Sequence, residues 1–139
     1  MSTLIVYSTK TGASRVCAEL LAKKIKTSSL CDLRIGMPDI RSYDTVAIGS
    51  GVRFGRLYKP AVNFIKENAD ALRSKTIAFY LCNADPNRLE DIIEKDIPGN
   101  LIHISKCIMS FGGKLPFEKY RENDWLKKEY IEVFTKLIN

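Results

Sequence analysis

The stretch Leu4-Ile5-Val6-Tyr7-Ser8-Thr9-Lys10-Thr11-Gly12-Ala13-Ser14 changes character halfway along. Leu4 to Tyr7 is an unbroken apolar run with Ile and Val, the pattern of a strand buried on both faces. Residues 8–14 then supply four hydroxyls, on Ser8, Thr9, Thr11 and Ser14, and a single glycine. A helical pattern follows. Backbone N–H groups at a helix N-terminus lack partners within the helix, and the helix dipole favours negative charge there. The hydroxyls would add donors around a phosphate. The same residues also suit an ordinary strand–helix loop with Ser14 as N-cap. On the loop alone the two readings stand level.

The length of 139 residues predicts one domain, 1–139, with enough chain to bury a core. An apolar content of 45% and a charged content of 27% argue against both disorder and a membrane-spanning chain. No apolar run has the length of a transmembrane helix, and Met1-Ser2-Thr3 runs into the first strand without a charged lead and apolar signal core. The expectation is a cytoplasmic protein. Cys17, Cys31, Cys82 and Cys107 show no CxxC spacing and lie inside apolar patterns, which predicts buried reduced thiols rather than a disulfide framework or zinc site. His103 is the only histidine, so metal clusters and Ser–His or Cys–His catalysis have little to build on. The 22 Lys and Arg against 16 Asp and Glu give a net charge of +6, which would attract an anionic membrane, an acidic protein, nucleic acid or a carboxylate substrate. No zinc finger, recognition-helix pair or interleaved aromatic and basic run points to nucleic acid.

Strand and helix patterns alternate along the chain. A helix over 14–26 puts Cys17, Leu20, Leu21 and Ile25 on one face, with lysines at its C-terminal end. Residues 31–35 alternate with period 2, as an edge strand does, and 45–49 reads as a third strand, fully buried. A helix over 58–72 carries Ala61, Phe64, Ile65, Asn68, Ala69 and Leu72 on one stripe, and 76–82 is a fourth strand. Asp85-Pro86 reads as an N-cap and first helical position, with Leu89, Ile92, Ile93 and Ile97 inward and Pro98-Gly99 as the stop. Residues 101–110 read as a fifth strand, with His103 structural or at the surface. A final helix over 124–138 turns Leu126, Tyr130, Val133, Phe134 and Leu137 inward, with Trp125 anchoring its start. Five strands joined by helical crossovers imply a doubly wound α/β fold, a parallel sheet with helices on both faces. Ligands of such sheets bind outside the strand C-termini where strand order reverses, so the loops after strands one, three and four are the candidates.

The first loop has only Gly12, whereas a Walker loop needs GxxxxGK followed by Ser or Thr, and the dinucleotide fingerprint needs several glycines here. The second loop, Gly49-Ser50-Gly51-Val52-Arg53-Phe54-Gly55, has two readings. The glycines make a tight turn with Phe54 and Tyr58 at a core edge, or Phe54 packs beside a planar ring next to mobile glycine backbone. The third, Cys82-Asn83-Ala84-Asp85, offers Asn83 and backbone groups to the polar edge of a heterocycle. Gly49-Ser50 stands where a receiver domain would carry its phosphoacceptor aspartate.

Thr9-x-Thr11-Gly12-x-Ser14 resembles the phosphate loop of the flavodoxins, which has hydroxyl residues at its first, third and sixth places and glycine at the fourth. Residues 43–55, with the triplet Arg53-Phe54-Gly55, resemble the flavodoxin-like branch that includes the menaquinone-dependent protoporphyrinogen IX dehydrogenases. The resemblance implies a flavodoxin-like five-stranded sheet of order 2-1-3-4-5 and FMN as cofactor. Carried over by position, Thr9, Lys10, Thr11, Gly12, Ala13 and Ser14 would cradle the phosphate. Ser50, Gly51, Val52, Arg53, Phe54 and Gly55 would line one side of the isoalloxazine, and Cys82, Asn83, Ala84 and Asp85 its pyrimidine edge. Residues 111–121 stand where the dehydrogenases carry a longer basic and aromatic segment, and electron-carrier flavodoxins are usually acidic where this chain is basic.

The resemblance implies electron transfer, either as a plain carrier or as a small oxidoreductase of the protoporphyrinogen or quinone type. The partners it implies are a redox protein or a small anionic or quinone substrate, with peripheral membrane contact open to a basic surface. A non-redox nucleotide- or anion-binding module on the same fold is the alternative from another class. Arg53, Arg56 and Lys59 cluster beside the expected ring, although Arg56 and Lys59 also read as solvated surface charges. At a separation of ~5 Å and an effective dielectric near 20, one such charge is worth on the order of 3 kcal/mol before screening. The sequence therefore predicts a flavin that is less strongly reducing than one in an acidic carrier.

Overall fold

Every residue of β1 (Thr3–Ser8) is buried, and its alternate side chains enter two different cores. The computed structural model describes residues 2–83, 88–113 and 124–139. Leu4 and Val6 join the core beneath α2 (Lys59–Leu72) and α3 (Leu89–Asp96), and Ile5 and Tyr7 join the core beneath α1 (Ala13–Lys24) and α5 (Lys128–Ile138). The same division runs along β5 (Thr76–Cys82), where Ile77, Phe79 and Leu81 face one core and Ala78, Tyr80 and Cys82 the other. A strand whose central side chains are apolar on both faces has no other way to bury itself than between two helical layers.

With β2 (Ser28–Asp32), β3 (Thr45–Arg53) and β6 (Ile108–Ser110), these strands form a parallel sheet of order β2-β1-β3-β5-β6. This is the expected doubly wound order, since one short strand intervenes in the numbering. That strand, β4 (Arg56–Leu57), runs antiparallel to the end of β3 and makes a hairpin where the sequence suggested a loop. The order reverses between β1 and β3, and their C-terminal ends open the crevice.

Three expectations are corrected. Residues 101–110 are not one strand: α4 (Gly99–Ile104) occupies the first part, with Leu101 and Ile102 both donating to the Pro98 carbonyl, and only β6 pairs. His103 is thereby an exposed residue of α4. The edge strand begins earlier than 31, because the polar Ser28 and Ser29 pair with Thr3 and Leu4. The final helix starts at Lys128 and buries Ile131, Phe134, Thr135 and Ile138, leaving Tyr130, Val133 and Leu137 exposed. Both stripes are apolar, and the turn that bonds Lys127 N–H to the Phe111 carbonyl sets which one faces in. The Asp85-Pro86 cap lies outside the described residues.

Candidate functional site

The crevice is built from two loops and a strand end. The first loop follows β1. Gly12, not Ser14, is the N-cap of α1, at φ 92, a left-handed conformation that glycine adopts without penalty. Ser14 is buried in the first turn and donates its hydroxyl to the Ser8 carbonyl at 2.5 Å, tying the helix start to the strand end. Between those two residues the chain folds on its own hydroxyls. Thr9 Oγ1 accepts the Gly12 N–H at 2.9 Å and Thr11 Oγ1 accepts the Ala13 N–H at 3.4 Å. Both N–H groups are thereby answered within the loop. Lys10 leans away, with its Nζ 5.1 Å from the centre of the Tyr58 ring.

The second element is the hairpin of β3 and β4. Arg53 pairs with Arg56 across a two-residue connection in which Phe54 and Gly55 have φ 53 and 73. Positive φ at both positions is the type I′ pattern, normally Asn-Gly or Gly-Gly, so a phenylalanine here is strained. Among the described residues the other non-glycine at positive φ is Thr27, which bonds Thr3 at the opposite end of the sheet. Phe54 is 88% exposed, with the Arg53 guanidinium 5.1 Å from its ring centre. The base of the hairpin is held by Asp96 at the end of α3. Its buried carboxylate accepts Arg56 Nε at 2.9 Å and the Leu57 N–H at 2.8 Å, and also pairs with Arg56 Nη2. Burial acts to raise the Asp96 pKa, but the Arg56 and Leu57 hydrogen bonds and the charges of Arg56 and Lys66 outweigh it and leave it lowered. Arg56 is therefore a paired structural cation whose side chain stays exposed to solvent while its charge is answered by Asp96.

Ser50 and Gly51 are buried in β3 rather than in a turn, and Ser50 Oγ accepts the Tyr58 N–H at 3.1 Å. The two glycines of Gly49-Ser50-Gly51 make room for tyrosines. A Cβ on Gly49 would stand 1.9 Å from Tyr80 Cζ, and one on Gly51 2.5 Å from Tyr58 Cε2. Each tyrosine touches the first loop, Tyr80 through a 2.8 Å hydrogen bond to the Ser14 carbonyl and Tyr58 beneath Lys10. Sequence reasoning left both out of the site. The available signal was register, since Gly49 and Tyr80 are direct neighbours across β3 and β5.

At the end of β5, Cys82 and Asn83 are buried, and Ala84 and Asp85 lie outside the described residues. Cys82 Sγ rests 3.7 Å from Cys17 Sγ on α1, a contact between residues far apart in sequence. Burial, then the Cys17 hydrogen bond and its charge, push the Cys82 thiol well above its ordinary range, so it sits here as a protonated, unbridged packing group. On the β6 side of Asn83 a cavity of about 560 Å³ is lined by Leu89, Met109, Ser110, Trp125 and Tyr130. The structure thus brings residues 9–14, 50–55 and 82–83 to one end of the sheet, with Lys59 exposed at the start of α2.

The sequence model of the flavodoxin domain family matches residues 4–137. A protein named protoporphyrinogen IX dehydrogenase (quinone), from Escherichia coli, is 29% identical over 152 residues, covering 99% of this chain and 80% of that protein. Among solved structures, a flavoprotein in complex with FMN from Lactobacillus acidophilus superposes with TM-score 0.63 at 17% identity, over 78% of this chain and 92% of that one. A WrbA-like flavodoxin from Agrobacterium tumefaciens gives TM-score 0.65 at 12% identity, over 99% and 94%.

Proposed function

The chain belongs to the flavodoxin domain family, and from that premise we propose that it is an FMN-binding electron-transfer protein. The observation that carries the reading is one juxtaposition at the strand C-termini. A loop of N–H groups already turned toward its own hydroxyls lies beside an exposed aromatic held at positive φ. Such a donor set fits a dianionic phosphate ester, and the exposed ring fits a planar heterocycle.

In this reading residues 9–14 hold the phosphate through backbone N–H groups and the hydroxyls of Thr9 and Thr11. Gly12 keeps the cradle open, because the space where its Cβ would stand has no atom within 4 Å. Phe54 covers one face of the ring, Arg53 supplies positive charge beside it, and Asn83 with its backbone serves the polar edge. The bound flavin supplies the redox chemistry, and the protein supplies binding, orientation and electrostatics.

The likeness to the Escherichia coli dehydrogenase supports a small oxidoreductase acting on a porphyrinogen or quinone over a plain carrier. The net charge of +6 suits an acidic redox partner, an anionic substrate or an anionic membrane surface. The reading has the protein in the cytoplasm, where its four free cysteines would stay reduced. Among the described residues no helix is long and apolar enough to cross a membrane.

The test is colour and reconstitution. Purified protein is expected to be yellow, to lose its flavin on unfolding and to regain the bound-flavin spectrum when refolded with FMN. A colourless protein that ignores FMN would overturn the reading in favour of a non-redox anion-binding module. Oxidation of protoporphyrinogen with menaquinone as acceptor then separates enzyme from carrier.

A further inference from the structure

We propose that Tyr80 is a positioning residue for the phosphate loop, holding the backbone N–H groups of residues 9–13 in register by anchoring Ser14 to the centre of the sheet. The inference rests on the FMN reading above and adds a residue of β5 that does not itself line the loop.

The Tyr80 ring has no freedom. It is fully buried, stacked on Phe111 at 5.1 Å and 17°, set edge-on to Phe134 at 6.0 Å, and seated against Gly49, where a side chain would collide with it. Its hydroxyl is thus delivered to a fixed point, and there it donates to the Ser14 carbonyl at 2.8 Å. That carbonyl lies in the first turn of α1 and already serves the helix ladder, so the bond is not one the helix needs in order to form. What the bond adds is a tie between helix and sheet.

Ser14 passes the tie onward, since its own hydroxyl donates to the Ser8 carbonyl. Both ends of the loop are therefore set by one residue, and that residue is set by Tyr80. A phenylalanine at position 80 would keep the stacking and the fit against Gly49 and lose only the tie. Burial above all, with Cys17, Cys82 and Tyr7 close by, keeps the phenol protonated well past its ordinary range, so the tie persists at physiological pH.

The experiment compares two ligands that differ by the phosphate. Flavin-free wild type and Tyr80→Phe are titrated with FMN and with riboflavin, and deuterium uptake is followed by mass spectrometry over residues 9–16. We expect the FMN Kd to rise about fivefold in Tyr80→Phe, as loss of one buried hydrogen bond implies. The riboflavin Kd should stay within about twofold, and exchange should quicken over 9–16 alone. Equal weakening of both ligands would mean a merely structural tyrosine and overturn the proposal, as would an unchanged FMN Kd. If wild type binds neither flavin, the FMN reading fails separately, and exchange alone decides: quickening confined to 9–16 upholds the positioning role, and unchanged or general quickening overturns it. Should Tyr80→Phe not fold, Ser14→Ala cuts the next link, and the same exchange outcomes apply to it.

Discussion

The two loops that meet at the crevice are held by opposite means. The loop after β1 is organised by neutral groups close in sequence, with Thr9 and Thr11 hydroxyls on its own N–H groups, Ser14 on Ser8, and Tyr80 as a distant brace. The hairpin after β3 is strained at its tip and held at its base by a buried carboxylate forty residues away from Arg56 in sequence. Neutral local bonding gives the first loop a shape that does not depend on the charge of a distant anchor. A single ionised anchor makes the shape of the hairpin conditional on that charge.

The sharpest way to break the comparison is to fill the two glycines. Gly49→Ala drives a methyl into a Tyr80 ring that Phe111 and Phe134 prevent from moving, and should cost about 3 kcal/mol or more in urea denaturation. Gly51→Ala meets a Tyr58 ring that is 8% exposed and can tilt outward beneath Lys10, for about 1–2 kcal/mol. Equal costs would mean that the rigid brace belongs to neither loop.

Next in size is the anchor itself. Asp96→Asn should cost about 2 kcal/mol, the worth of hydrogen bonds made by a buried charged group, and should weaken riboflavin and FMN alike, because it loosens the ring side. The sign of the pH effect follows from the lowered pKa of Asp96. Its folded value lies below its unfolded one, so the stabilisation is complete above the ordinary carboxylate pKa of about 4 and is lost as pH falls through the folded value. The stability difference between wild type and Asp96→Asn should stay flat from about pH 7 to 5 and shrink on further acidification. A difference that persists undiminished in acid would show that the carboxylate charge is not what holds the hairpin.

The same division explains what the sequence could reveal. β1 and β5 are legible because a continuous apolar run has one way to be buried, and the first loop because its hydroxyls and Gly12 are local. The hairpin was hidden, since Phe-Gly is a poor type I′ pair and the partner that fixes it, Asp96, ends a helix in a different part of the chain. Tyr80 was invisible for a related reason: its role depends on the absence of a side chain at Gly49 across the strand pair. α4 was misread because Leu101-Ile102-His103-Ile104 carries β-branched residues that suit a strand, and only the bonds to the Pro98 carbonyl turn it into a helix.

A smaller effect should appear at the hairpin tip. Phe54→Asn creates the Asn-Gly pair that a type I′ turn prefers, and should raise stability by about 0.5–1 kcal/mol. Flavin affinity should fall in the same variant, as the exposed ring is lost. A gain in stability with unchanged affinity would detach the strain at Phe54 from function.

The smallest expected effect separates two arginines that face each other across the hairpin. The charge of Arg56 is answered by Asp96, whereas Arg53 stands over Phe54 with no carboxylate partner among the described residues. An answered charge has little field left at a distance, because the opposing carboxylate cancels most of it. Only Arg53 should therefore stabilise the negative charge that a bound flavin gains on reduction. Arg53→Ala should lower the flavin reduction potential by on the order of tens of millivolts, with 59 mV corresponding to about 1.4 kcal/mol for one electron. The shift should shrink as salt is added, since Arg53 is exposed. Arg56→Ala should act instead through the hairpin, lowering stability and riboflavin affinity, as Asp96→Asn does. A redox titration of the two variants at low and high ionic strength checks both expectations. If the larger, salt-dependent potential shift comes from Arg56→Ala, the Asp96 pair does not neutralise its arginine, and the hairpin is tuned by the residue that also anchors it.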